Sequence, residues 1–324
     1  MVLSSSSAAS VIVITFVESG LLTFEQCLGV LLGVNIGTTL TGHLVAIKLT
    51  KYAWHMVAAG FFAVFFSKDE KTKLKAEILH GLGLLFVGME VMGNAMTPLQ
   101  THEPFRELLA SMQDLPLGVA SACIFTLLIQ SSSAATGVII TVAQQGLLTP
   151  GAGLALILGA NIGTCGTACL AAIGKKAETI RVAWAYLLFK LIGVALTICF
   201  IEQFTDLVLD TTLPAEVAAK LRAHTAAAGT GTANGSDTSD AAAAAVLGVV
   251  VPQFLANCHT VFNILLAALC LPFTPQLSAF VVWSLQPFTG TPPPVPSSGG
   301  TGKKGKGAAK RRGSRSPSPR PTRR

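Results

Sequence analysis

The stretch GANIGTCGT, Gly159–Thr167, places one asparagine, three glycines and two threonines inside a long apolar run. A near copy, GVNIGTTLT, occupies Gly33–Thr41. Glycine lets a backbone leave the helical conformation, while asparagine and threonine add polar oxygen atoms. Irregular backbone inside hydrocarbon survives only where it lines a cavity or is buried in protein. The two stretches therefore predict a polar site within an apolar protein.

The composition of the chain predicts an integral membrane protein. Of its 324 residues, 51% are hydrophobic and 12% are charged, and the mean hydropathy is +0.61. A soluble domain carries about 25% charged residues, roughly twice this share. We therefore expect an all-α polytopic membrane protein whose apolar stretches approach the ~20 residues that span a bilayer. These stretches are Tyr52–Phe66, Ile78–Met92, Leu115–Ile129, Trp184–Ile201 and Ala241–Leu271.

The net charge of +7 comes from the C-terminal tail. The last 24 residues hold 10 of the 23 basic residues and no acid, which leaves 13 basic against 16 acidic residues elsewhere. We expect the tail, residues 289–324, to be disordered and cytoplasmic, close to anionic lipid of the plasma membrane. A nucleic-acid partner is a remote alternative and is not expected, because the rest of the chain is so apolar.

An internal duplication organises the chain. Ser5–Ile47 aligns with Ser131–Ile173 at an offset of 126 residues without a gap, and 22 of the 43 positions are identical. This predicts two inverted repeats with discontinuous or re-entrant helices, as in many secondary transporters. We place the boundaries at 1–66 (first repeat), 67–77 (charged loop), 78–210 (second repeat), 211–240 (low-complexity linker), 241–288 (C-terminal membrane segments) and 289–324 (basic tail).

The two copies differ in what precedes them. The second copy follows an apolar segment, GLGLLFVGMEVMGNAM, whereas the first begins almost at Met1. Either the natural chain has an incomplete first repeat, or its true start lies further upstream. We favour the second explanation.

The serine run IQSSSAATG, Ile129–Gly137, predicts an anion site. It lies between two apolar segments, where the start of a helix would direct backbone amides and hydroxyls towards an anion. The Gly-Asn-Thr stretches predict the complementary cation site, because neutral oxygens suit a hard monovalent cation. We expect the two copies to face each other near the bilayer midplane and to hold a small anion and a cation.

Other interpretations of these motifs carry less weight. Small residues in membrane helices often serve only close packing, but two motifs duplicated at a fixed spacing favour a site. The serine run lacks the Gly-x-Ser-x-Gly elbow of hydrolases, so we do not expect an enzyme. The seven cysteines show no metal-ligand spacing and resemble small core hydrophobes.

Together the two motifs resemble those of the type II sodium-dependent phosphate cotransporter family, in its bacterial style. Each repeat of that family carries Gln-Ser-Ser-Ser followed by Gly-x-Asn-Ile-Gly-Thr, and Gln130–Ser133 with Gly159–Thr164 match fully. The resemblance continues through NCHTVFNILLAALCLPF at Asn257–Phe273. It implies symport of inorganic phosphate with sodium across a membrane by alternating access, with no cofactor besides the coupling ion.

The resemblance also implies which residues bind each ion. Phosphate would contact Ser5, Ser6, Ser7, Ser132, Ser133, Asn35 and Asn161. Sodium would be held by Gln130, Ser131, Thr164, Thr167, Thr38 and Thr41. Two alternatives stay open: a transport-inactive fragment or assembly partner of a fuller homologue, and a sodium-coupled transporter of another small anion.

The sequence departs from the family pattern at three positions. Ser4 stands where the family has glutamine, and Tyr186 and Lys190 stand where it has histidine and asparagine. Lone ionisable residues within apolar segments are further functional candidates, although each could equally lie at an interface. These candidates are Glu18, His43, Glu90, Lys190 and His259.

Overall fold

A computed structural model describes residues 5–47, 49–229 and 239–289, and every regular element in these ranges is helical. Its α-helices are α1 (Ser6–Glu18), α2 (Phe24–Ala46), α3 (Ala53–Phe66), α4 (Glu70–Met96), α5 (Glu103–Ser111), α6 (Leu115–Ile129), α7 (Ser132–Gln144), α8 (Pro150–Gly163), α9 (Cys165–Ala172), α10 (Ala177–Cys199), α11 (Ile201–Thr212), α12 (Ala215–Gly229), α13 (Ser239–Cys270) and α14 (Thr274–Thr289). Short 3₁₀ turns lie at Thr50–Tyr52, Thr97–Thr101 and Leu271–Phe273.

The described helices are long and apolar enough for five membrane crossings, which confirms the all-α polytopic prediction. A sixth follows if α5 and α6, bent by 107° at their junction, are counted as one span. The opposite orientation of the two repeats stays a prediction. The five candidate spans are Phe24–Ala46, Glu70–Thr101, Pro150–Ala172, Ala177–Cys199 and Gly248–Gln286.

The duplication is visible in the local structure of α1 and α7. Each helix has 13 residues and is capped by a serine hydroxyl: Ser5 Oγ accepts from Ala8 N at 3.2 Å, and Ser131 Oγ accepts from Ala134 N at 3.3 Å. Thirteen residues span about 20 Å, less than the ~30 Å of a hydrocarbon core. These two helices are therefore too short to cross a bilayer alone, as the prediction of discontinuous helices requires.

The turn between α6 and α7 depends on one residue in a left-handed conformation. Gln130 has φ 59°, and it is the one non-glycine residue with positive φ in the described part of the chain. A non-glycine residue rarely adopts this conformation, and its occurrence often marks a functional position. The reversal at Gln130 lets α7 begin directly after α6 ends.

The two Gly-Asn-Thr stretches do not unwind as expected. Gly33–Thr41 lies wholly inside the continuous helix α2, so the expectation of open backbone is wrong there. In the second repeat the helix is interrupted only at Thr164, between α8 and α9. A Cβ on Gly159 would lie 2.2 Å from the carbonyl oxygen of Val119. This glycine therefore serves the close approach of α8 to α6, the packing role that small residues often have in membrane helices.

The structure corrects the predicted character of two segments, while their boundaries stay predictions. Most of the charged loop 67–77 is helical, because α4 begins at Glu70 with the Asp69 carboxylate as its N-cap. Hydrogen bonds from the Thr72 hydroxyl and amide hold the pKa of Asp69 below its usual value. The charged side chains are nevertheless exposed, as expected.

The predicted linker 211–240 is also partly folded. Ala215–Gly229 forms α12, since the stretch AEVAAKLRAH is rich in strong helix formers. Arg222 pairs with Asp206 at 3.1 Å and with Asp210 at 2.8 Å, and so holds α12 against α11. Residues 230–238 of the linker and 290–324 of the tail lie outside the described residues.

Five helices meet around the centre of the fold. They are α1, α2, α7, α10 and α13, and α2 contacts each of the other four. Helices α3 and α4 form a hairpin that contacts α7 through α4, and on α3 it exposes Phe61, Phe62, Phe65 and Phe66. The central helices hold several of the largest fully buried side chains, among them Tyr186, Phe189 and Lys190 on α10. An apolar exterior around a partly polar centre is the arrangement that a membrane carrier needs.

Candidate functional site

The two serine runs meet at the centre of the fold. Ser6 Oγ and Ser132 Oγ lie 2.8 Å apart, and these residues are equivalent positions of the duplication. Each is the first residue of its helix, α1 or α7. The first amides of a helix have no intrahelical acceptor, and the helix dipole places positive charge there. Two helix starts that converge in this way create a local environment suited to an anion.

A small polar cavity adjoins this serine pair. It is enclosed by α1, α2, α7, α8, α10 and α13, so both repeats and the C-terminal segment contribute to it. Its lining residues are Ser6, Asn35, Thr38, Ser132, Asn161, Thr164, Lys190, His259 and Asn263. A second small cavity shares Thr38, Ser132 and His259 with it and adds Thr41, Gly42, Ser133 and Thr136. Most of the residues predicted to bind ions therefore surround these two cavities.

A larger groove lies apart from the predicted site. It runs between α10, α11 and α13, and its walls are mainly leucine and phenylalanine side chains. Such walls offer few groups that could bind an anion, so the small polar cavity is the better candidate for ion binding.

The paired asparagines of the repeats contact different partners on α10. Asn35 Oδ1 accepts a hydrogen bond from the Tyr186 hydroxyl at 2.6 Å. Asn161 Oδ1, its equivalent, accepts from Lys190 Nζ at 2.9 Å. Asn35 is 4% exposed, and its Nδ2 has no hydrogen-bond partner among the described residues. A buried amide donor without a partner beside the cavity is available to an anion.

Lys190 and the α13 residues form a buried polar cluster. Lys190 Nζ donates to Asn263 Oδ1 at 2.7 Å and lies 5.5 Å from the centre of the Phe262 ring. Asn263 Nδ2 donates to the backbone oxygen of His259 at 2.8 Å. His259 is 9% exposed, and its Nδ1 has no partner among the described residues. The cluster therefore joins α8, α10 and α13 at the cavity wall.

A second group of oxygen atoms lies beside the serine pair, around Ser7, the neighbour of Ser6. The Thr167 hydroxyl donates to Gln130 Oε1 at 3.0 Å and lies 3.3 Å from Ser7 Oγ. Ser7 Oγ in turn donates to the backbone oxygen of Gln130 at 3.1 Å. Gln130 Nε2 donates to the Leu127 carbonyl, which leaves the side-chain oxygen directed at Thr167. Two predicted sodium ligands thus lie together, joined by Ser7, which we predicted as a phosphate ligand.

The other predicted ligands have separate hydrogen bonds. The Thr164 hydroxyl donates to Ala160 O at 2.8 Å, and the Thr38 hydroxyl donates to Asn35 O at 3.0 Å. Both threonines line the cavity, and a hydroxyl that donates one hydrogen bond keeps its lone pairs as acceptors. Ser5 and Ser131 serve as helix caps. The first-repeat counterpart of Gln130 is Ser4, which lies outside the described residues.

The lone ionisable residues divide into two groups. Lys190 and His259 line the cavity, whereas His43 Nε2 contacts the Thr260 hydroxyl at 2.8 Å between α2 and α13. Glu18 pairs with Lys175 at 3.1 Å at the end of α1, and Glu90 is half-buried on α4. The predicted ligand set did not include Tyr186, Lys190, His259 or Asn263. Polar side chains inside apolar helices were the available signal for all four.

Comparison with known proteins identifies the family. The family model for the Na⁺/Pi-cotransporter matches residues 1–94 and 96–213. The chain belongs to the Na⁺/Pi-cotransporter family. The match covers both repeats and ends before α12, so the site residues on α1, α2 and α7–α10 lie within it and those on α13 lie beyond it.

Individual relatives agree with this membership. YqeW of Bacillus subtilis is 31% identical over 212 residues, which cover 64% of this chain and 67% of the relative. YjbB of Salmonella typhimurium, provisionally named an inorganic phosphate export protein, is 28% identical over 65% of this chain. YjbB of Escherichia coli K12, which bears the same name, is 26% identical. The match spans only 39% of either YjbB protein. No solved structure shows significant similarity to this chain.

Proposed function

We propose that the protein transports inorganic phosphate across a membrane, with sodium as the coupling ion, by alternating access around the central cavity. The contact of Ser6 with Ser132 is the observation that carries this proposal. It brings two helix starts, one from each repeat, to one point between the helices. The family membership and the export name of the YjbB relatives support phosphate as the anion.

The cavity offers phosphate several hydrogen-bond donors. The serine hydroxyls, the free Asn35 amide and the Lys190 ammonium all line its wall. Phosphate is rich in acceptor oxygens, and hydrogen bonds to an ionised acceptor are about twice as strong as neutral ones. A site whose donors are mostly neutral binds the anion without holding it too tightly for release.

Sodium would bind at the oxygen group beside the serine pair. Gln130 Oε1, Thr167 Oγ1 and Ser7 Oγ come from the α6–α7 turn, α9 and α1. A sodium ion there would draw these three segments together. Because Ser7 is the neighbour of Ser6, the ion would also fix the start of α1 next to phosphate. This shared helix start is the structural basis that we propose for coupling.

The coupling ion contributes energy as well as geometry. Phosphate carries negative charge, and moving one elementary charge across 100 mV involves about 2.3 kcal/mol. Each sodium ion that accompanies phosphate reduces the net charge that crosses. The direction of transport then follows the combined gradients of sodium, phosphate and potential. We place the protein in the plasma membrane with its basic tail on the cytoplasmic side.

Reconstitution of the full chain into proteoliposomes tests this function. We expect uptake of radiolabelled phosphate to depend on an imposed sodium gradient and to be lost in Ser132→Ala and Ser6→Ala. Ser111→Ala removes an exposed hydroxyl on α5 that bonds only to its own helix, and it should transport normally. Sodium-independent uptake, or full uptake by both cavity variants, would contradict the proposal.

A further inference from the structure

We propose that Lys190 provides a fixed positive charge at the phosphate cavity and takes the place of one coupling cation. This inference rests on the proposed function, since it concerns how the same cavity binds its anion. Lys190 Nζ lines the cavity together with Ser6 and Ser132. It therefore faces the space that the two helix starts also face.

The surroundings of the ammonium group resemble those of a bound monovalent cation. Two neutral amide oxygens, Asn161 Oδ1 at 2.9 Å and Asn263 Oδ1 at 2.7 Å, accept hydrogen bonds from it. The face of the Phe262 ring lies 5.5 Å away and adds a weaker attraction. An ammonium group has three N–H donors, and these two bonds use two of them. One donor is left for an anion in the cavity.

No carboxylate in the described part of the chain pairs with this ammonium. The ion pairs found there involve Arg106, Lys175 and Arg222, all at partly exposed positions. Lys190 is 1% exposed, so its charge is also withdrawn from water. A buried charge without a counter-ion is costly unless a functional partner compensates it. Phosphate bound between the serine hydroxyls would be that partner.

The two halves of the duplication differ at this point. Asn35 accepts a hydrogen bond from the neutral phenol of Tyr186, whereas its equivalent Asn161 accepts one from the Lys190 ammonium. The positive charge is thus a feature of the second repeat alone. Tyr186 and Lys190 lie one turn apart on α10, and of these two residues Lys190 lines the cavity.

A purely structural role for Lys190 leads to a different expectation. Its two hydrogen bonds tie α10 to Asn161 on α8 and to Asn263 on α13. If this tie were its only role, loss of Lys190 would reduce stability without changing how phosphate binding depends on sodium. The dependence on sodium therefore separates the two roles.

The test measures binding of radiolabelled phosphate to the purified full chain in sodium chloride or in choline chloride at equal ionic strength. We expect the wild type to bind phosphate in choline, with sodium improving the affinity further. Lys190→Gln should bind about tenfold or more weakly in choline, because it loses one charge-assisted hydrogen bond. Lys190→Arg should keep most of the sodium-independent binding.

Lys175→Gln serves as the matched control, since Lys175 is partly exposed and pairs with Glu18 at the end of α1. It should bind phosphate like the wild type in both salts. Equal affinities of Lys190→Gln and the wild type in choline would overturn the inference and leave the proposed function intact. If the wild type binds phosphate only in sodium chloride, the inference about Lys190 is wrong. This result comes from the wild type alone, so it holds even if Lys190→Gln fails to fold. A wild type that binds no phosphate in either salt would overturn both.

Discussion

The hydroxyl of Thr167 donates a hydrogen bond to Oε1 of Gln130 at 3.0 Å, and so joins α9 to the turn that separates α6 from α7. The same hydroxyl lies 3.3 Å from Ser7 Oγ on α1. A hydroxyl carries one proton, so Thr167 donates it to Gln130 Oε1, the nearer of the two oxygens. The hydroxyl oxygens of Thr167 and Ser7 both keep lone pairs. These oxygens are then free to face a cation.

Replacing Thr167 with valine should weaken sodium binding. Thr167→Val keeps the volume of the side chain but removes its oxygen, and we expect the apparent sodium affinity for phosphate uptake to fall about tenfold. Thr167→Ser should behave like the wild type because it keeps the hydroxyl. Thr197→Val is the control, since that hydroxyl bonds only to Gly193 within α10. An unchanged sodium curve for Thr167→Val would exclude this residue from the cation site.

The left-handed backbone of Gln130 allows its two roles to be separated. Gln130→Gly and Gln130→Ala both remove the side-chain oxygen, so both should lose the sodium dependence of transport. Their stabilities should differ, because a left-handed conformation costs a residue with a Cβ roughly 1–2 kcal/mol relative to glycine. Thermal unfolding in detergent should show the glycine variant to be the more stable of the two. Equal stability would mean that the turn adjusts to its residue.

Glycine at the two equivalent positions of the repeats should respond differently to the same change. A Cβ on Gly159 would lie 2.2 Å from Val119 O, whereas a Cβ on Gly33 would meet nothing within 4 Å. We expect Gly159→Ala to destabilise the protein by about 1–3 kcal/mol through overpacking of α6 and α8. Gly33→Ala should be neutral or stabilise α2 by up to about 1 kcal/mol. The midpoints of unfolding provide the comparison, and similar midpoints would refute the packing role of Gly159.

The contact between Tyr186 and Asn35 should contribute to stability. Tyr186→Phe leaves Asn35 Oδ1 buried without a donor, which costs about 1–3 kcal/mol. Tyr52→Phe removes a phenol that is 55% exposed and should leave the unfolding midpoint unchanged. If Tyr186→Phe unfolds at the same temperature as the wild type, water or another donor must replace the lost hydroxyl.

The duplication in the sequence predicts much of the site. Equal spacing of the serine runs within the repeats predicts that they play equivalent roles, and Ser6 and Ser132 are indeed in contact. The conformation of the glycine-rich stretches could not be predicted in the same way. The same residue type is in open space at Gly33 and in tight contact at Gly159, because only α8 has α6 against it. The role of a glycine here depends on a neighbour that is distant in sequence.

Local sequence patterns also could not predict the hydrogen-bond partners of Asn35 and Asn161. Asn35 and Tyr186 are separated by 151 residues, and no periodicity links their positions. The low-complexity composition of residues 211–240 also misled the prediction for Ala215–Gly229. There, individual helix propensities and the two aspartates that bind Arg222 outweigh the low complexity.

The unlike partners of Asn35 and Asn161 have a consequence for the history of the molecule. The two copies of a duplicated segment start with the same side chains, so at first both copies offer a ligand between them the same contacts. The phenol bonded to Asn35 and the ammonium bonded to Asn161 end that equivalence, because the positive charge lies beside only one of the two copies. The two half-cycles of a carrier with such a site can then differ in rate, while the gradients still set the direction of net transport.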